Sequence, residues 1–124
     1  MTAKSTGKLQ VRARLILDTD QGEEIAMGPG KAELLAAIAE TGSISAAARK
    51  MGMSYRRAWL LVDTMNRCFK TPLVSSSAGG TQGGGASLTP LGSAVLTIYQ
   101  KLEESLDAAA QQQATALRKL LAKP

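Results

Sequence analysis

A chain of 124 residues holds one domain, and with one Trp, one Phe and two Tyr its core has to be built from Leu, Ile, Val, Met and Ala. It has no histidine and a single cysteine, Cys68, which excludes an internal disulfide, a Cys/His zinc cluster and the commonest general acid–base. The net charge of +5 is concentrated: residues 43–70 carry six bases (Arg49, Lys50, Arg56, Arg57, Arg67, Lys70) against Asp63, whereas residues 1–42 sum to −1 and 71–124 to +1, the footprint expected of a nucleic-acid binder.

Residues 1–7 form a short polar, basic tail, expected to be disordered. A domain is expected over 8–107, followed by an extension at 108–124. Leu9, Val11, Ala13, Leu15 and Leu17 alternate with polar residues up to Ile16, which predicts a half-buried strand. Asp18 to Gly22 is a turn, and Glu23 to Met27 returns with Ile25 and Met27 inward, giving an N-terminal β-hairpin. Lys8, Arg12 and Arg14 read as its solvated side. After Gly28-Pro29-Gly30 a helix runs from Lys31 to Glu40, with Leu34, Leu35 and Ile38 as its apolar face and Gly42 at its end.

The next stretch, Thr41 to Phe69, is the most informative. Ile44, Ala47, Ala48 and Met51 lie on one face of a helix that Ser43 or Ser45 can cap, and Gly52 permits a left-handed end. Ser54 caps a second helix whose buried stripe is Ala58, Leu61, Val62, Met65 and Phe69. Two short helices, a tight turn and small residues Ala46, Ala47 and Ala48 at the crossing describe a helix-turn-helix. In such motifs the start of the second helix enters the DNA major groove. Arg56 and Arg57 sit there, where arginine can pair with both acceptors of a guanine edge; the bland reading is a solvated face. The Tyr55 hydroxyl can reach a phosphate, or its ring can cover the helix start. Trp59, one residue off the stripe, is read as core, wedged between this helix and the wing or hairpin. Cys68 is read as a structural thiol.

Pro72 stops the helix, and Leu73-Val74 opens a strand. Ser75 to Ser87 is rich in Ser and Gly without a charge, and Leu88 closes it: strand, glycine loop, strand, the layout of a wing. A nucleotide-binding P-loop is excluded, because Ala86-Ser87 rather than Lys-Ser/Thr follows the last glycine. Gly83 and Gly84 allow close backbone approach to DNA; a merely tolerated loop is the competing reading. Thr89-Pro90 starts a final helix. Its stripe of Val95, Ile98, Tyr99, Leu102 and Leu106 is too long for one small domain to bury, so it is expected to pack on the hairpin and on a second subunit. Beyond Ala108 it continues as helix or frays as a linker.

GSISAAARKMGMSYRRAW followed by GGTQGGGASLTPLG resembles the winged helix DNA-binding domain of the ModE family of molybdate-dependent bacterial regulators, itself related to the LysR-type helix-turn-helix. The resemblance covers Leu9 to about Leu106. It implies an α+β, mainly α fold: a winged helix-turn-helix with an N-terminal hairpin and a long C-terminal helix. It also implies a cytoplasmic homodimer that binds double-stranded DNA and regulates transcription. The residues expected at DNA are Ser43, Ser45, Arg49 and Lys50 on the first helix, Ser54, Tyr55, Arg56 and Arg57 on the second, and Gly83 and Gly84 in the loop. Where the family's loop usually carries a base, this one has Gln82. In that family molybdate binds a separate C-terminal β-rich domain, and this chain stops at Pro124. No molybdate ligand carries over, so no cofactor or metal, no membrane and no enzymatic activity is expected, and an effector-domain partner chain becomes possible. The alternative is a winged-helix interaction or co-regulator module without specific DNA binding.

Overall fold

A computed structural model describes residues 9–77 and 85–122. The expected disordered tail at 1–7 and the loop glycines Gly83 and Gly84 lie outside the described residues. The elements run β1 (Leu15–Thr19), β2 (Gly22–Met27), α1 (Pro29–Thr41), α2 (Ile44–Met51), α3 (Tyr55–Cys68), β3 (Val74–Ser77), β4 (Gly85–Leu88) and α4 (Pro90–Arg118).

Local chemistry places the helix ends. Pro29 opens α1 with its φ already fixed. Gly42 closes it at φ 71°, its N–H returning 2.8 Å to Ile38 O. Ser43 Oγ accepts from Ala46 N to cap α2, and Gly52, again at φ 71°, ends it. Ser54 Oγ accepts from Arg57 N to cap α3, and Thr89 Oγ accepts from Gly92 N to cap α4. The left-handed turns at Gly42 and Gly52 fold α1, α2 and α3 into a three-helix cluster.

The core lies between these helices and the strands behind them. Met27, Leu34, Leu35, Ile38, Met65 and Leu73 are fully buried, each contributing about 1.5–3 kcal/mol over an exposed position. Ala47 and Ala58, also fully buried, let α2 and α3 cross closely. Antiparallel β3 and β4 pair from Val74↔Leu88 to Ser77↔Gly85. The root of this wing is fastened to the helices, because Ala86 N donates 2.9 Å to Gly42 O at the α1–α2 turn. Asn66 adds a second fastening: its Oδ1 accepts from Leu73 N (2.9 Å) and Val74 N (3.1 Å).

Several expectations are corrected. The N-terminal strand does not begin near Leu9. Leu15 pairs with Met27, the last residue of β2, so the ladder runs out there. Residues 9–14 precede the ladder, and 12–13 bind the side of α4: Arg12 Nε and Nη2 reach the Glu103 carboxylate at 2.8 and 3.3 Å, and Ala13 N reaches it at 3.3 Å. Arg12 is therefore ion-paired rather than part of a solvated face, whereas Leu15 and Leu17 are exposed. Tyr99, expected on a surface between subunits, is 2 % exposed in the chain's own core, its hydroxyl donating 2.6 Å to Ala13 O. Burial, reinforced by Glu103, raises this hydroxyl above its ordinary pKa, so it stays a donor. Phe69 is not in α3 but caps its C-terminus in extended conformation, still packed against the core. Beyond Ala108, α4 continues as helix to Arg118.

Gly92 marks the tightest crossing. A Cβ there would lie 2.1 Å from Leu73 O, so only glycine lets the start of α4 lie against the chain that enters the wing. Among the described residues no helix is long and apolar enough to cross a membrane, and no cluster of His, Cys, Asp and Glu could hold a metal.

Candidate nucleic-acid interface

The caps fix where the basic residues point. With Ser54 as N-cap, Tyr55, Arg56 and Arg57 fill the first turn of α3, and all three are exposed. Neither Arg56 nor Arg57 has an acidic partner among the described residues, so both guanidinium groups are available to an outside anion. The helix's unpaired N–H groups and positive dipole end lie beside them. Arg49, on α2, is likewise exposed and unpaired among the described residues.

Lys50 is placed differently. Its ammonium pairs with Glu40 of α1, in a shallow pocket shared with Glu33, Ala36, Ala37 and Met51. Arg67 is also engaged locally, with Asp63 at 3.1 Å and Glu24 at 3.3 Å. Of the six bases counted in residues 43–70, Arg49, Arg56, Arg57 and Lys70 are thus in no ion pair among the described residues; Arg56 and Arg57 lie in the first turn of α3, and Lys70 follows its other end. Cys68 Sγ faces Glu24 at 3.7 Å; burial first, then Glu24, pushes the thiol up and keeps it protonated, as a structural thiol would be.

At Tyr55 and Trp59 a cleft of about 540 Å³ opens between the helices and the wing. One wall is the start of α2, with Ser43, Ile44 and Ser45. The floor is the flank of α3, Tyr55 and Trp59 one turn apart. The far wall is the wing root, Ser76 and Ser77 on β3 with Gly85 and Ala86 on β4. Trp59 is 45 % exposed there and Tyr55 54 %. The expectation that Trp59 lies between α3 and the wing is met, but its assignment to the core is corrected: the wing stands off and leaves the ring as an open floor. Ser76, Ser77 and Trp59 were not legible as surface-site residues, because only the tertiary placement of the wing brings them opposite Ser43 and Ser45. Gly83 and Gly84 remain outside the described residues, so the structure does not place them.

α4 presents a second apolar feature. Ile98 is 66 % and Leu102 40 % exposed, flanked by half-buried Val95 and Leu106.

Comparison with known proteins agrees with this geometry. The model of the bacterial regulatory helix-turn-helix protein, lysR family, matches residues 30–93. The molybdenum-pterin-binding protein MopB of Rhodobacter capsulatus is 49 % identical over 77 residues, 62 % of this chain and 28 % of that protein. The molybdenum transport protein ModE of Azotobacter vinelandii is 45 % identical over 91 residues, 73 % of this chain and 33 % of that one. The DNA-binding transcriptional dual regulator ModE of Escherichia coli (strain K12) is 33 % identical over 116 residues, covering 90 % of this chain. The chain spans 28–44 % of the length of these relatives. Among solved structures, the CbnR DNA-binding domain in its DNA complex superposes with a TM-score of 0.55 at 19 % identity, covering 71 % of this chain and 95 % of that one. The LysR-family regulator VV2_1132 superposes with a TM-score of 0.53 at 17 % identity, over 70 % of this chain and 28 % of that one. The chain belongs to the LysR-type family of bacterial regulatory helix-turn-helix proteins, as a ModE-like winged helix domain.

Proposed function

We propose that this chain is the operator-reading part of a transcriptional regulator and binds double-stranded DNA sequence-specifically as a homodimer. The observation that carries the reading is the pair Arg56 and Arg57, exposed and without acidic partners at the capped start of α3. A guanidinium pair held at a helix tip can enter a major groove and pair with guanine edges or phosphates. The exposed Ile98 and Leu102 on α4 support a second copy as the partner of that face. In a two-fold dimer the two tips would meet successive major grooves about 34 Å apart on a near-palindromic site. The named regulators among its relatives support a role in transcription; the signal the assembly answers to is assigned to another domain or a partner chain.

The test is selection of duplexes from random DNA, followed by gel-shift titration of the Arg56→Ala/Arg57→Ala variant. A two-fold symmetric motif is expected, with the variant binding at least ten-fold more weakly, as loss of a bidentate base contact worth about 1–3 kcal/mol requires. If both arginines sit on phosphate instead, the salt slope drops by about 2 for each protomer, about 4 for the dimer. Unchanged affinity would overturn the reading and favour an interaction module, for which the described wing strands, free of charge, are the one supporting feature.

A further inference from the structure

The hairpin and the end of α4 both lie outside residues 30–93, the part that matches the family model, and both carry exposed apolar side chains. On β1 these are Leu15, Ile16 and Leu17; at the end of α4 they are Leu117, Leu120 and Leu121. Charge sorts the two groups into a complementary pair. Beside the β1 residues stand Asp18, Asp20 and Glu23, all exposed and in no ion pair among the described residues. Asp18 and Glu23 are register partners across the ladder. Like charges held opposite each other destabilise a hairpin, a cost that a neighbouring cation relieves. Arg118 and Lys119 stand among the three leucines of α4, also exposed and in no ion pair among the described residues. Within one chain the two groups diverge. Ala13 N donates to Glu103 and Ala13 O accepts from Tyr99, so the chain here runs against α4 and β1 leaves towards the start of that helix. Leu117 lies about 21 Å beyond Glu103 in the other direction.

We infer that the hairpin is the docking site for the end of α4 of a second copy, whose three exposed leucines pack on Leu15, Ile16 and Leu17 while its Arg118 and Lys119 meet the hairpin carboxylates. This rests on the homodimer of the proposed function and adds a contact to it. The α4 face alone is small. Ile98 and Leu102 with half-buried Val95 and Leu106 fall short of the about 800 Å² that each partner of a stable pair buries. A two-fold axis crossing α4 near Leu106 turns the second rod back along the first. Leu117 to Leu121 of that copy then arrive about 16–22 Å from the axis, beside Leu91 to Val95, at the end of the helix towards which β1 leaves. Each pair of chains makes the contact twice.

Sedimentation equilibrium of the whole chain tests this. Asp18→Lys/Glu23→Lys and Arg118→Glu/Lys119→Glu should each self-associate roughly ten-fold more weakly than the parent at low salt, the sum of several exposed pairs. The difference should close at about 1 M salt, where the screening length falls to about 3 Å. An equimolar mixture of the two variants should pair with the parent's affinity, because both contacts of the mixed dimer again join opposite charges; a variant that failed to fold could not give this rescue. Ile16→Ser should weaken association at every salt concentration, since apolar burial is not screened. Parental self-association in either charge reversal or in Ile16→Ser, or a mixture no tighter than its components, overturns the inference. A two-fold symmetric motif enriched by the parent dimer then leaves the proposed function standing. A parent chain that stays monomeric both free and on the duplexes it enriches overturns the proposed homodimer itself.

Discussion

Replacing Gly92 with alanine should destabilise the domain even though alanine is the better helix former. On propensity alone the change would add up to about 1 kcal/mol of stability. The structure opposes it. The new methyl would sit 2.1 Å from Leu73 O, 2.9 Å from Leu73 C and 3.2 Å from Leu73 Cα, all backbone atoms that cannot rotate aside. Relief requires α4 and the Leu73 strand to separate by about 1 Å, and overpacking of that kind costs about 1–3 kcal/mol. The same separation strains Thr89 N→Leu73 O (2.9 Å) and Thr89 Oγ→Pro72 O (2.8 Å), each worth about 1 kcal/mol. The net expectation is a loss of about 2–4 kcal/mol, a large part of the stability of a domain this size. Gly30 supplies the control: it lies in the first turn of α1 with nothing within 4 Å of its would-be Cβ, so Gly30→Ala should be neutral or stabilising. Urea denaturation followed by far-UV circular dichroism measures both as midpoint shifts at constant slope. A Gly92→Ala midpoint at or above that of the parent would refute the crossing geometry.

Glu103 anchors the N-terminal segment, and its carboxyl is held below the ordinary range mainly by the Arg12 guanidinium, assisted by Ala13 N–H and opposed by partial burial. A depressed carboxyl stabilises the fold above the unfolded carboxylate range, and that stabilisation is lost as pH falls through the folded value. Glu103→Gln should therefore cost about 1 kcal/mol at neutral pH, modest because Arg12 is partly exposed. Its deficit should shrink on acidification; a deficit independent of pH, in melts taken across the acid limb, would count against the anchor. Asn66→Ala should cost about 2 kcal/mol by stranding Leu73 N and Val74 N, while Asn66→Asp, which keeps the acceptor, should cost less; chemical denaturation of the two variants decides, and equal losses would contradict the hydrogen-bond account.

The helices were legible because their signals are local. Ser43, Gly52, Ser54 and Thr89-Pro90 sit where the caps fall, and the periodic stripes of α2 and α3 face the core. The misread positions are those decided by distant partners. The alternation of Leu9 to Ala13 joins no strand ladder; Arg12 and Ala13 bind Glu103 instead, about 90 residues away, and no sequence pattern announces that. Tyr99 belongs to an apolar stripe at helical spacing, yet the N-terminal segment covers it while leaving Ile98 bare one residue earlier. Trp59 reads as core because it lies one residue off the Ala58–Leu61 stripe; that step around α3 carries it off the buried face of Ala58, Val62 and Met65, and the wing leaves it 45 % exposed. Lys50 contributes to the basic count of its segment but is neutralised by Glu40, a pairing set by how α1 and α2 cross.

The 29 residues of α4 make a rod about 43 Å long, with Tyr99 locked into the globular part and most of the later turns outside it. Anything fused after Arg118 would inherit its heading from residue count alone. One inserted residue would swing the cargo by about 100° and push it out by about 1.5 Å, whereas seven would restore its azimuth to within about 20°. The helix is therefore a crankshaft whose phase an engineer can dial one codon at a time.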